Sequence, residues 1–333
     1  MVRRSIPARP SKAERKFLRV GVGSLQDSVV APATLNRYSA ACSWMFWLVR
    51  VLNLDLPVSG HHMDQLMVTC IECAWSEGEA RALVGDLLSG LSHFIPSLRG
   101  MLAGSWRLHA AWGRLEMPAR AWPLNEDQLY AMCCVACQWN FMDVVVVLLL
   151  GYHCFLRTGE FVSATVGQIS FATCGRKAFL ALPFTKTQAR KGAPEGAAIT
   201  APALVALLRW FVKHGQPGDN LLQRTGPQFR SLWAHLVAAV GLDGFFRPYS
   251  IRRGGATHFF RTTNSLDKTC DRGRWNSIAT CRIYVNTALV DAIAQQQSGD
   301  LMRSIEARAA HFRAALANLL LASEGWRGEH TFV

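Results

Sequence analysis

The run over residues 144–156 constrains the fold more than any other segment of this chain. It is apolar except for Gly151 and His153, and it is fenced by Asp143 and Arg157. A bilayer span needs about 20 consecutive apolar residues, so this shorter, interrupted run predicts a helix buried in a protein core and a chain that makes no membrane crossing. A length of 333 residues exceeds what one core usually holds and favours two domains. Half the residues are hydrophobic and 18% are charged, with 11 Trp and 17 Phe. That is enough apolar surface to offset the entropy of folding, which sets aside a disordered chain.

Charge narrows the choice of partner. Lys and Arg outnumber Asp and Glu by 36 to 23, giving a formal net charge of +13 and a pI near 9.6. Such a balance favours a polyanion, nucleic acid first and an anionic membrane surface second. The N-terminal segment carries Arg3, Arg4, Arg9, Lys12, Arg15, Lys16 and Arg19 without an apolar core. This composition argues against a secretory signal and leaves a nuclear signal, an organelle transit peptide and a DNA-binding arm as alternatives. The expected location is the nucleus for a eukaryotic protein and the cytoplasm otherwise. Ten cysteines in that setting predict free thiols. The pairs Cys70/Cys73 and Cys134/Cys137 have a spacing that zinc sites use, but both lie in helix-like apolar stretches, where small thiols serve as packing. No metal, cofactor, small-molecule substrate or membrane partner is expected.

Residues 1–25 read as a basic flexible arm. Thr34 is placed to cap a helix whose Leu35, Tyr38, Cys42, Met45, Phe46, Val49 and Leu52 recur every three or four residues. Helical patterns over 62–75, 79–94 and 98–112, with Pro96 at a boundary, make 26–112 a helical domain of about four helices. The stretch 113–123 holds two prolines and little periodicity, and reads as a linker. Asn125 then opens a helix with Gln128 as its capping partner. Residues 169–171, 179–184 and 197–199 read as strands, the first two joined near Gly175. Helices are expected over 202–212, 229–240, 250–260 and 277–290, within a second domain spanning 124–299. The tail, 300–333, carries Leu301, Ile305, Phe312, Leu316 and Leu320 on one stripe, suited to docking on its own domain or on a neighbour. The expected fold is mainly α with a small β-sheet or hairpin.

The candidate chemistry gathers in the second domain. In chain order come Arg157-Thr-Gly-Glu160, Thr185-Lys186-Thr187, Tyr249-Ser-Ile-Arg252-Arg253, Arg274-Trp275-Asn276 and, 32 residues after Arg252, Tyr284. Singly each has an ordinary explanation: a surface ion pair, an exposed hairpin lysine, a packed tryptophan, a core tyrosine. As an ordered set they resemble the catalytic domain of the tyrosine recombinase (lambda-integrase-like, phage integrase) family, and the Cys- and Trp-rich composition with its basic arm suits a eukaryotic mobile-element member. Box one of that family, an arginine on an apolar helix with an acid three residues on, falls on Arg157 and Glu160. Box two, His-x-x-Arg-His, falls on Arg252, with Tyr249 and Arg253 where histidines are usual. The β-hairpin lysine falls on Lys186, with Lys191 as the other occupant, the late His-or-Trp position on Trp275, and the nucleophile on Tyr284.

The resemblance implies a helical core-binding (SAM-like) DNA-binding domain followed by a tyrosine recombinase/integrase-like (DNA breaking-rejoining) catalytic domain. It also implies site-specific recombination or integration on double-stranded DNA through a 3′-phosphotyrosine, by a tetramer on two DNA sites whose C-terminal helices dock on neighbouring protomers. The roles make physical sense. Nonbridging oxygens gain charge in a pentavalent phosphorus transition state, and the forks of Arg157 and Arg252 suit them. A lysine between two arginines has a lowered pKa and can protonate the leaving 5′ oxygen, the role assigned to Lys186. Attack by Tyr284 conserves bond energy for rejoining. Glu160 would brace Arg157, while Arg253, Arg274 and Lys191 would contact DNA. Tyr249 can donate or accept a hydrogen bond but is not a base near neutral pH. Two other functions fit the same residues: a type IB topoisomerase-like nick-closing enzyme, and a domesticated DNA-binding protein that no longer cuts, which the replaced histidines hint at.

Overall fold

The computed structural model describes residues 11–20, 25, 29–117, 119–183, 195–242 and 244–328. The chain divides into two compact units, Met1–Ala119 and Arg120–Val333. The arm expected to be flexible carries a helix, Lys12–Arg19 (α1), whose first turn is fixed by a capping box between Ser11 and Glu14.

The first unit is built on four longer helices, Pro32–Val51 (α2), Gly60–Ser76 (α3), Arg81–Phe94 (α4) and Ala103–Leu115 (α5). Thr34 lies inside α2 rather than at its cap. Pro32 sits at the first helical turn, where its fixed φ starts the helix and its missing N–H costs nothing. Met45, Met67, Cys70, Leu87, Leu88 and Leu102 are among the side chains closing the core. Asp64 of α3 caps α5 from outside, its carboxylate accepting from the Gly104 and Ser105 backbone N–H groups, each at 2.9 Å. Burial would raise the Asp64 pKa, but these bonds and that of the Ser105 hydroxyl outweigh it and hold the carboxyl below its usual range.

The second unit is a helical domain with one small sheet. Glu126–Gln138 (α6) starts at a capping box between Asn125 and Gln128. Met142–His153 (α7) is buried without interruption from Asp143 to Tyr152, which is why the sequence there shows no polar face. Thr158–Val162 (α8) follows, then three antiparallel strands in the order β1 (Ile169–Phe171), β2 (Ala178–Leu182) and β3 (Glu195–Ile199). Leu180 faces Ile169 on one side and Ala197 on the other. Lys186 and Lys191, between β2 and β3, lie outside the described residues.

Among the described residues the sheet is followed by the helices Pro202–Phe211 (α9), Gly226–Val240 (α10), Ser250–Thr263 (α11), Leu266–Gly273 (α12), Ile278–Tyr284 (α13), Thr287–Gln296 (α14) and Gly299–Gly328 (α15). The single helix expected over 277–290 is two, because Val285 is extended and Asn286 caps α14 by accepting from the Leu289 N–H. Tyr284 therefore ends a helix instead of sitting inside one. Of the two docking modes open to the tail, the structure shows the intramolecular one. Ile305, Ala309 and Phe312 of α15 are buried in the second unit, and Arg313 pairs with Asp127 of α6 at 2.5 Å.

The site depends on how closely α11 approaches its neighbours. A Cβ on Gly254 would lie 2.0 Å from the Leu124 carbonyl oxygen, and one on Gly255 would lie 2.0 Å from that of Tyr152. The tight partner is backbone in both cases and cannot swing away. Gly255→Ala should gain about 1 kcal/mol of helix propensity and still destabilise the chain, by roughly 1–3 kcal/mol from overpacking. Urea denaturation of the full chain measures this, and a stabilised variant would show that the two backbones part without penalty.

Candidate active site

Phe155 leaves α7 with φ +49°, a left-handed conformation uncommon for an aromatic residue. The turn brings Arg157 to the N-cap of α8. Its backbone N–H donates to Glu160 Oε2 at 2.9 Å and its Nη1 donates to Oε1 at 2.6 Å. Glu160 Oε2 also accepts from Arg274 Nη2 at 2.7 Å. Glu160 is 8% exposed, and burial alone would raise its pKa. The Arg274 charge, followed by the hydrogen bonds and charge of Arg157, outweighs burial and keeps the carboxyl below its ordinary value.

Arg252, in the first turn of α11, is fully buried. It donates from Nη1 to the Phe155 carbonyl and from Nη2 to the Gly273 carbonyl, the latter at 2.9 Å. Among the described residues no carboxylate pairs with it. Burial, then the charges of Arg157 and Arg274, pull its pKa down to about 10, against the smaller upward effects of Tyr284 and Glu160. It stays a cation near neutral pH, covered by two aromatic rings: its guanidinium carbon lies 4.9 Å from the centroid of Trp275 and 5.2 Å from that of Tyr284. Trp275 and Tyr284 themselves pack at 4.4 Å between centroids.

Tyr249, the cap residue of α11, donates its hydroxyl hydrogen to the Tyr284 oxygen at 2.5 Å. The two phenols are thereby driven apart in acidity. Burial and the bond it donates raise the Tyr249 pKa. Burial would raise that of Tyr284 too, but the Tyr249 bond, the Arg252 charge, Trp275 and Arg157 together bring it below the ordinary tyrosine value. The influence of Trp275 is that of a nearby dipole, since its Nε1–H completes no hydrogen bond among the described residues.

Arg157, Glu160, Tyr249, Arg252, Trp275 and Tyr284 therefore form one cluster. Two arginines that the sequence assigns to DNA contact, Arg253 and Arg274, are buried. Arg253 is 4% exposed and donates to the carbonyls of Ala121 and, at 3.4 Å, Ile283, which ties α11 to the end of α13. The Arg274 side chain is 8% exposed. Its burial has no signature in the sequence, because a loop arginine between α12 and α13 looks solvated until Glu160 is known to lie beneath it. Cys70 and Cys73 lie on α3 of the first unit, Cys134 and Cys137 on α6 of the second. Among the described residues no three His, Cys, Asp or Glu side chains gather as metal ligands.

Glu160 pairs with both Arg157 and Arg274, so Glu160→Gln should cost roughly 3–5 kcal/mol. The wild-type contribution is full above the ordinary glutamate pKa and is lost as pH falls through the lower folded-state value. Thermal denaturation at neutral and acid pH tests this: the deficit of Glu160→Gln should shrink on acidification, and a pH-independent deficit would refute the charge assignment.

No protein-family model matches the sequence, and no curated protein resembles it in sequence. Solved structures do share its fold. A lambda integrase dimer bound to a COC′ core site superposes with TM-score 0.52 at 13% identity, covering 83% of this chain and 94% of that one. The Tn1549 transposon integrase in complex with transposon right end DNA gives 0.51 at 12% identity, covering 91% and 98%. The XerH site-specific recombinase in a post-cleavage complex with palindromic difH substrate gives 0.50 at 11%, covering 78% and 79%. The mainly helical architecture, with one three-stranded antiparallel sheet among the described residues, is the fold of these lambda integrase and Tn1549 integrase structures.

Proposed function

We propose that this chain cleaves and rejoins double-stranded DNA through a 3′-phosphotyrosine on Tyr284, as a site-specific recombinase or integrase. The observation that carries the proposal is the placement of Tyr284: its hydroxyl accepts from Tyr249 at 2.5 Å, and its ring lies 5.2 Å from the Arg252 guanidinium. A phenol in that position is held toward its anionic form beside a cation suited to a nonbridging phosphate oxygen. Similarity to integrases solved on DNA supports a DNA substrate.

The steps follow from the groups present. Tyr284 loses its proton to water, and its phenolate is stabilised by the Tyr249 O–H and by Arg252. Its oxygen attacks phosphorus and displaces the 5′ oxygen, leaving a 3′-phosphate ester on the tyrosine. Arg157 and Arg252 neutralise the charge that builds on the nonbridging oxygens. Arginine neutralisation makes a metal unnecessary for this chemistry. Protonation of the leaving oxygen is assigned to Lys186. Exchange between two DNA sites calls for a tetramer, and sharing of α15 between protomers would require Arg313 to release Asp127.

Incubation with a library of nicked duplexes at low salt, followed by denaturation and peptide mapping, tests the proposal. DNA should be attached at Tyr284 and absent from Tyr284→Phe. Tight binding without an adduct on any duplex would establish a DNA-binding protein that no longer cuts. Tyr249→Phe removes the donor to the nucleophile and should raise the Tyr284 pKa, moving the rising limb of the cleavage rate to higher pH. An unshifted limb would show that Tyr249 does not tune the phenol.

A further inference from the structure

Three guanidiniums meet at this site, and the mechanism above uses two. The third, Arg274, has features that a structural ion pair leaves unexplained. Its Nη2 is committed to Glu160 at 2.7 Å, while its Nε and Nη1 are buried and have no hydrogen-bond partner among the described residues. Arg252 Nε and Trp275 Nε1 are in the same condition. Trp275 follows Arg274 in the chain, and its ring lies 4.9 Å from the Arg252 guanidinium carbon. These orphan donors therefore belong to neighbouring side chains. Each buried polar group left unpaired costs about 1–3 kcal/mol, more if charged, and native structures seldom tolerate several together. Among the described residues the cluster holds three guanidiniums against the one carboxylate of Glu160, so the acceptor suited to the orphan donors is an anion.

The backbone supports the same view. Arg274 ends α12 with φ +57°, a conformation that costs a residue with a Cβ about 1–2 kcal/mol and that helix ends commonly give to glycine. An arginine there is a backbone penalty, accepted at a position where its side chain reaches the site.

We propose that Arg274 is a third guanidinium of the phosphate site, directing its Nε–H and Nη1–H to a nonbridging oxygen of the phosphodiester held by Arg157 and Arg252, with Glu160 fixing both Arg157 and Arg274. This rests on the strand-cleavage proposal. A single buried carboxylate thereby orients two of the three cations, and the bidentate fork of Arg274 is the part a lysine cannot reproduce.

Two variants separate this role from a purely structural one. Arg274→Gly removes the side chain and relieves the left-handed backbone. Arg274→Lys keeps the charge and a donor to Glu160 but loses the fork. Adduct formation on a nicked duplex should slow on the order of 100-fold in both, well beyond any loss of duplex affinity, with the thermal stability of the lysine variant close to wild type. Wild-type adduct rates in Arg274→Lys would overturn the proposal, reducing Arg274 to an anchor for Glu160. A second measurement keeps this independent of cleavage. Inorganic phosphate should raise the melting temperature of the wild type and leave that of Arg274→Lys unmoved. If the wild type forms no adduct but shows this difference, the cleavage proposal fails and Arg274 stands as an anion ligand. Equal phosphate shifts, or none in either protein, overturn the inference.

Discussion

Arg252 lies inside the protein with carbonyl oxygens, not carboxylates, as its partners, and much of the second unit is arranged to make that tolerable. A buried guanidinium without hydrogen bonds would be prohibitive. The Phe155 carbonyl reaches it because Phe155 turns out of α7 in a left-handed conformation. The Gly273 carbonyl reaches it because α12 ends there. α11 also lies almost against the backbone at Leu124 and Tyr152, which Gly254 and Gly255 permit. With no acid beside it, the Arg252 charge remains available to an incoming anion while its position is fixed.

Glu160 complements this arrangement. Its two oxygens are divided between Arg157 and Arg274, so one carboxylate orients two cations without neutralising the cluster. Had a second acid paired with Arg252, the site would be nearly balanced and would offer a phosphate little. Charge excess together with fixed geometry is what distinguishes a binding site from an ordinary buried ion-pair network.

The sequence made the skeleton of the site legible because each element carried a local signal. Residues 144–156 announced a buried helix by length and lack of polarity, Asn125 and Gln128 announced a helix start, and Arg157, Arg252 and Tyr284 stood out by order and spacing. What stayed hidden depends on contacts distant in sequence. The burial of Arg253 and Arg274 is set by the Ala121 carbonyl and by Glu160, 132 and 114 residues away. The break between α13 and α14 at Val285 is marked in the sequence only by the capping residue Asn286, set inside an otherwise helical pattern, so Tyr284 did not read as a helix end. Tyr249 read as a departure from a histidine pattern, and its bond to Tyr284 follows only from the fold.

The position of Tyr284 over Arg252 bears on how the site receives a phosphate. A cation–π contact is worth about 0.5–2 kcal/mol, whereas charge-assisted bonds from a guanidinium to a phosphate are about twice as strong as neutral ones. The two contacts use different parts of the guanidinium, since its N–H groups lie in the plane and the ring lies against the guanidinium carbon. A phosphodiester delivered to the N–H edge therefore meets the Tyr284 oxygen with its hydroxyl held by Tyr249.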